Sequence, residues 1–283
     1  MIFENIIGTY LAARKQERGE SERDRCSYKR LHPYFAGRDI RALKLHDVRA
    51  YIAHRQAQGV KLTTIRRELC LFCAAINFVN VEFDLTLPNP VSRLSIPTGE
   101  PRVRWITRQE AAKLLHEAEQ AACRPHLPIF IRLALNTGCR RGELLNLEWS
   151  RVDTEHKKIL LEAKHTKTRK RRAVPLNDDA LRTLTRIKHW QTERKLNTPY
   201  VFGYEKGKIT TFKTSWKTAL QRSGIENFRI HDLRHTFASW LVMEGVSVYV
   251  VKDLLGHASV TQTEIYAHLA PDQGREAVQR LLL

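Results

Sequence analysis

Apolar residues recur at steps of three and four through most of the first 85 positions. The segments near 3–18, 22–35, 46–58 and 62–80 each carry an apolar stripe with helical spacing, and none alternates as a strand would. Gly59 closes the third segment, and Thr63 and Thr64 mark the start of the fourth. From 87 to 104 the stretch LPNPVSRLSIPTGEPRVR loses this periodicity and holds four prolines and a glycine, the pattern of an interdomain linker. Thr107-x-x-Glu110 then spells a capping box that opens a new helix. Beyond it the pattern is mixed. PIFIRLALNTG is a helix ended by Gly138, and GELLNLEW a shorter one. KILLEA (158–163) and AVPL (173–176) flank the basic stretch KHTKTRKRR as a β-hairpin with a charged tip. A helix over 178–196 begins with two aspartates, and YVFGY reads as a short strand. Two helices follow, IHDLRHTFASWLVMEG closed by Gly245 and SVYVVKDLLG running from Ser247 to Gly256. Ser259-x-x-Gln262 is expected to cap a helix carrying Tyr266, and Pro271 to open a short final one.

Composition narrows the partner. The 283 residues are 42% apolar, enough for one large core or two smaller ones, and carry a net charge of +18. Most of the excess lies beyond residue 100, and such a surface suits a polyanion, most simply nucleic acid. The amphipathic N-terminus is not a secretory signal, no apolar run is long enough to cross a membrane, and the five cysteines are scattered. A reducing cytoplasm is the expectation. Cys70 and Cys73 form a CxxC with no second ligand pair nearby, so core thiols are expected rather than a zinc site.

The chemistry-bearing residues come in a fixed order. Arg140 stands in NTGCRRGE, Lys167 in HTKTRK, His231 and Arg234 in HDLRH, His257 in LLGH and Tyr266 in IYAHL. A phosphodiester under attack gathers negative charge that Arg, Lys and His stabilise, and a tyrosine among them can be the nucleophile. Taken singly, each has a bland reading, Tyr266 as a core ring and 167–172 as a charged loop. In the helical half, Lys61, Arg66 and Arg67 stand at a helix start, a placement suited to phosphate.

Residues 105–283 resemble the catalytic domain of the tyrosine recombinases, the phage-integrase family. TGCRRGELLNL, TKTRKRRAVPL, HDLRHTFAS, LLGH and TEIYAHL occur in the family's order, with its nine-residue step from His257 to Tyr266. Residues 1–90 resemble the helical core-binding domain more loosely. The resemblance implies a mainly α chain of two domains. An all-α, SAM-like core-binding domain (1–94) and a linker (95–104) would precede an α+β catalytic domain (105–283) with a small antiparallel sheet and a tail at 271–283. It implies a site-specific recombinase or integrase that cuts and rejoins DNA through a 3′-phosphotyrosyl link. Arg140 and Arg234 would bind the scissile phosphate. Lys167 would protonate the leaving 5′-oxygen, with Lys164, Arg169 and Lys170 close enough to compete for its register. His231 would help accept the tyrosine proton, His257 donate to the phosphate, Tyr266 attack, and Glu143 orient the cations. Arg169 and Lys170 join Lys61, Arg66 and Arg67 as expected DNA contacts, with Arg141 and Arg229 expected to face solvent or the DNA backbone. His235 and His268 fall outside the matched positions and are expected to be supporting residues.

No nucleotide cofactor or metal is implied. The partners implied are double-stranded DNA at a specific site and other copies of the chain, a tetramer joined through 271–283, in a nucleoid-associated setting. Many members carry an arm-binding domain ahead of these two; with no room for one before residue 1, the expectation is either a simpler reaction or a truncated chain. The competing expectations are a type IB topoisomerase, with the same chemistry but no partner duplex, and a non-catalytic DNA-binding regulator on the same scaffold.

Overall fold

Four helices dominate the first hundred residues: α1 (Phe3–Arg18), α2 (Glu22–Phe35), α3 (Leu45–Ala57) and α4 (Leu62–Glu82). The computed structural model describes residues 1–97, 102–120, 125–162, 171–205, 207–271 and 278–279. It divides into two compact units, 1–100 and 101–283. In the first unit α2 begins where the Ser21 side chain accepts the Asp24 N–H at 3.2 Å. α4 packs on both α1 and α2. The rings of Phe3, Phe35 and Phe72 meet there with centroids 5.1–5.8 Å apart. Each such buried ring stabilises by roughly 1.5–3 kcal/mol relative to exposure.

Three sequence expectations change in this unit. Thr63 and Thr64 lie inside α4, whose N-cap is Lys61. The aperiodic stretch from 87 is not all linker: Leu87 and Val91 are buried in the helical core. The Asn80 amide fixes this return by bonding both the carbonyl and the N–H of Leu87 at 2.9 Å. Cys70 is exposed and Cys73 half-buried, so the CxxC pair is not a pair of core thiols. α4 turns its Leu69, Phe72 and Ile76 face inward and Cys70 outward.

The second unit is built around α6 (His126–Thr137), buried on nearly every side. α5 (Arg108–Gln120), α8 (Asp178–Glu193) and α10 (Asp232–Met243) pack against it. The expected capping box opens α5: Thr107 N–H donates to Glu110 at 2.7 Å, and Glu110 N–H to Thr107 at 3.1 Å. α7 (Arg141–Leu145) leads into an antiparallel sheet of β1 (Val152–Asp153), β2 (Lys158–Leu161) and β3 (Arg172–Pro175), in that order. Lys158 pairs with Pro175 and Leu161 with Arg172. Ile159, Leu161 and Val174 face the core while Leu160 faces out, the alternation of a one-sided sheet. A second pair, β4 (Gly203–Tyr204) and β5 (Gly207–Lys208), precedes α9 (Lys213–Ser223), a helix with no clear sequence signature. α11 (Val248–Leu255) is capped by the Ser247 side chain.

Tyr266 is not on an α-helix. Ser259 caps only a 3-10 turn at Val260–Gln262, accepting from Thr261, and Tyr266 sits on a second such turn, Glu264–Leu269. Most of the expected tail helix lies outside the described residues.

Candidate active site

The site begins where α6 ends. Gly138 takes φ +60°, and a Cβ there would come within 2.3 Å of Phe237 on α10, so the close approach of the two helices requires glycine. The turn delivers Arg140, whose N–H donates to Glu143 Oε2 at 2.8 Å as α7 starts. Its guanidinium Nη1 donates to Glu143 Oε1 at 2.9 Å and its Nη2 to the Gly256 carbonyl at 3.4 Å, leaving the side chain half-buried.

Glu143 is 3% exposed and also receives Arg172, the first residue of β3. Arg172 binds it through both Nη atoms, at 3.0 and 2.8 Å, a fork-to-fork pair. Burial disfavours the Glu143 charge, but Arg172 and then Arg140 outweigh it and hold the carboxyl below its ordinary range. A Cβ on Gly256 (φ +65°) would come within 2.8 Å of the Arg172 side chain, so this glycine is what lets β3 reach Glu143.

Arg234, on the first turn of α10, is 4% exposed and has a different environment. It donates to the carbonyls of Gly138 and Leu255, each at 2.7 Å. These carbonyls lie at the C-terminal ends of α6 and α11, where helix dipoles are negative. Burial and the neighbouring Arg140 pull Arg234 down to about 10, which still leaves it charged at neutral pH. Among the described residues, three guanidiniums here meet one carboxylate, an excess of two positive charges.

His257 follows the Gly256 cap of α11, and its Nδ1 bonds Thr263 Oγ1 at 2.8 Å. Burial and the positive charge of Arg234 and Arg140 lower it to about 4, so it is neutral at pH 7. His231 caps α10 and is exposed, its ring edge-on to His235 at 5.2 Å. It borders a concavity of about 820 Å³ that Arg141, Arg229, Trp216 and Phe228 also line.

Tyr266 is 2% exposed, and its hydroxyl bonds His235 Nδ1. Burial pushes the phenol up to about 12, against the pull of the Arg234 charge. Lys167, Arg169 and Lys170 lie outside the described residues, between β2 and β3. In the helical unit Lys61, Arg66 and Arg67 are exposed at the start of α4. Arg67 also lines a concavity of about 590 Å³ with Arg23 and Arg30 of α2.

The structure thus gathers Arg140, Glu143, Arg234 and His257 as the sequence suggested, and adds two residues that the sequence reading passed over. Arg172 was hidden in a run of six basic residues within KHTKTRKRR; its one signal is its place at the head of a strand whose alternate residues face inward. His235 was set aside as supporting, yet it is the residue bonded to the Tyr266 hydroxyl. Its signal was its four-residue step from His231, which puts both rings on one helix face.

Comparison with known proteins gives the family. Residues 104–273 match the Phage integrase family, and the chain belongs to that family. The integrase of Salmonella phage P22 is 34% identical over 200 residues, covering 68% of this chain and 50% of the relative. The tyrosine recombinase XerD of Rhizobium meliloti is 27% identical over 248 residues, covering 82% of this chain and 78% of that one. The chain therefore spans about half the length of the P22 integrase that it matches. Among solved structures, the Tn1549 transposon integrase in complex with a circular intermediate DNA superposes with a TM-score of 0.77, at 18% identity and covering 99% of this chain and 100% of that one. A lambda integrase dimer bound to a core site gives 0.75, at 21% identity and covering 97% of each chain. These likenesses establish the mainly helical fold with small antiparallel sheets. Among the described residues no helix is long and apolar enough to cross a membrane.

Proposed function

We propose that this chain is a site-specific DNA recombinase that cuts and rejoins strands through a 3′-phosphotyrosyl link at Tyr266. The observation that carries the reading is the uncompensated pair of positive charges held by Arg140, Arg172 and Arg234 around Glu143. A guanidinium fixed by carbonyls or a carboxylate offers its remaining N–H groups to phosphate oxygens with little reorganisation. Arg140 and Arg234 take the non-bridging oxygens. Glu143 and Arg172 keep Arg140 oriented. A neutral His257 that accepts the Thr263 hydroxyl at Nδ1 carries its hydrogen on Nε2 and donates it to the phosphate. The Tyr266 oxygen bonds to phosphorus and its proton passes to a base, with His231 assigned that role. The 5′-oxygen leaves with the bonding pair and takes a proton from Lys167. A 5′-hydroxyl of the partner duplex reverses the step, so bond energy is retained and no cofactor is required.

Double-stranded DNA at a defined site is the partner. Residues 1–94 form the helical DNA-binding domain, 95–104 the linker, and Lys61, Arg66, Arg67, Arg169 and Lys170 backbone contacts. Four copies assemble on two sites through the 271–283 tail. The presence of DNA in the Tn1549 and lambda complexes supports this choice of partner.

The test uses a pool of nicked duplexes with randomised arms, on which cleavage traps the enzyme. The unchanged chain should give a denaturation-resistant protein–DNA band, and sequencing of the trapped DNA should return one motif. Tyr266→Phe should bind DNA and give no band; a band from that variant sinks the assignment.

A further inference from the structure

Tyr266 stands where no duplex can reach its oxygen. Its ring belongs to an apolar cluster with Phe237, Val242, Val251 and Leu255, and its hydroxyl bonds His235 Nδ1 from across the α10 interface. The groups around His235 are His231, Asp232 and Arg234 on its own helix, Arg102 from the segment before α5 and His257 from the end of α11. Asp232 is already engaged by Arg102 at 3.1 Å and by the Arg229 N–H at 2.8 Å. Burial first and His231 second depress His235 to about 4, so it is neutral at pH 7 and able to accept at Nδ1. With the phenol near 12 and the imidazole near 4, the hydrogen stays on oxygen.

We propose that His235 is the positioning residue of the nucleophile: its Nδ1 takes the Tyr266 hydrogen bond and holds the neutral phenol turned inward until DNA is bound. This rests on the reading of Tyr266 as the nucleophile. Attack requires that the bond open and the 3-10 turn Glu264–Leu269 swing its ring out of the cluster. A 3-10 turn suits that task, because its hydrogen bonds are weaker than those of an α-helix and cost less to rearrange. His235 is half-buried on the same helix face as the exposed His231, so the resting phenol is one ring removed from the basic concavity that His231 borders.

The test needs no DNA. N-acetylimidazole acetylates accessible phenols, and peptide mapping by mass spectrometry reads Tyr266 against Tyr249, which is 65% exposed and serves as the internal reference. His235→Leu removes the acceptor, whereas His235→Asn places an amide oxygen close to the Nδ1 position. Acetylation of Tyr266 should run about three- to tenfold faster in His235→Leu, the change in local opening expected from losing one hydrogen bond. In His235→Asn it should match the unchanged chain. Equal protection in the leucine variant, or equal exposure in both variants, overturns the proposal, the second because ring packing would then be the cause.

Should His235→Leu fail to fold, Tyr266→Phe approaches the pair from the other side. It keeps the buried ring and removes only the hydroxyl. The His235 imidazole, followed by NMR, must then titrate at a higher pH, since its neutral form has lost the donor that stabilised it; an unshifted titration overturns the proposal. A Tyr266→Phe chain that still trapped DNA would sink the nucleophile and leave these DNA-free results standing.

Discussion

Each unit buries an arginine–glutamate cluster, and the two differ in what they leave over. In the helical unit Glu68 accepts the Tyr51 hydroxyl at 2.6 Å and Arg55 at 3.1 and 2.7 Å, and Arg55 also bonds Gln58. One carboxylate meets one guanidinium, and the phenol, pushed up by burial and by Glu68, stays neutral. In the second unit Glu143 is as deeply buried but is shared by Arg140 and Arg172, while Arg234 beside them rests, among the described residues, on carbonyls. The first cluster is balanced and ties α3 to α4. The second is left short of negative charge, which a phosphate group would supply. A buried arginine–glutamate pair is therefore not in itself a functional signal; the excess charge is.

The largest effect expected is on the second cluster. Arg234→Ala should slow adduct formation on the nicked duplex by about 10²–10³-fold, the usual loss when one fixed donor to a developing oxyanion is removed. Single-turnover rates at saturating protein measure it, and a loss confined to DNA affinity would reduce Arg234 to a binding contact. The comparison then becomes a pair of variants. Glu68→Gln and Glu143→Gln each leave a buried arginine without its carboxylate, a change that costs about 3–5 kcal/mol of stability in denaturant unfolding. Only Glu143→Gln should also slow the adduct step, because Arg140 loses its orienting partner. If Glu68→Gln slows it equally at saturating protein, the distinction between the clusters fails.

Acid should separate the units as well. His257 titrates near 4 when folded against an ordinary 6.5. Between those values the unfolded chain binds a proton that the folded one refuses, so stability is full above 6.5 and declines as the pH falls toward 4. His235 adds to the same decline. The melting temperature of the second unit should therefore drop between pH 7 and 5, and drop less in His257→Asn. Glu143 acts in a lower window: its depressed carboxyl stabilises above the ordinary 4.5, and that contribution is lost as the pH falls further. An unchanged slope in His257→Asn would show that the imidazole is not held neutral.

What could be read from the chain follows the same division. Helices with broad apolar faces, such as α4 and α6, were legible because burial is written in spacing. α9 was not: Trp216, Ala219 and Leu220 give it a narrow stripe among basic and hydroxyl residues, and only packing on α5 makes it a helix. The motif residues Arg140, Arg234 and His257 were legible from order alone. The backbone groups that the two arginines bond were not, because the Gly138, Leu255 and Gly256 carbonyls carry no side-chain signature. The state of Tyr266 was equally hidden. Its motif makes it the expected nucleophile, whereas its burial and its bond to His235 depend on a 3-10 turn that the periodicity of six residues cannot distinguish from a helix.

The smallest effect tests the exposed cations of the helical unit, where no buried network amplifies a change. Arg67 lines a concavity with Arg23 and Arg30, and as a proposed backbone contact it would neutralise one phosphate. Arg67→Gln should lower the slope of log affinity against log salt by about 0.9 and weaken binding equally on matched and unmatched duplexes. Adduct formation at saturating protein should not change, since the proposed nucleophile and the charges proposed to steady the phosphate lie in the other unit. A slope that stays the same would remove Arg67 from the interface. A loss concentrated on matched duplexes would instead make it a reader of bases, and the helical unit would then contribute specificity as well as attraction.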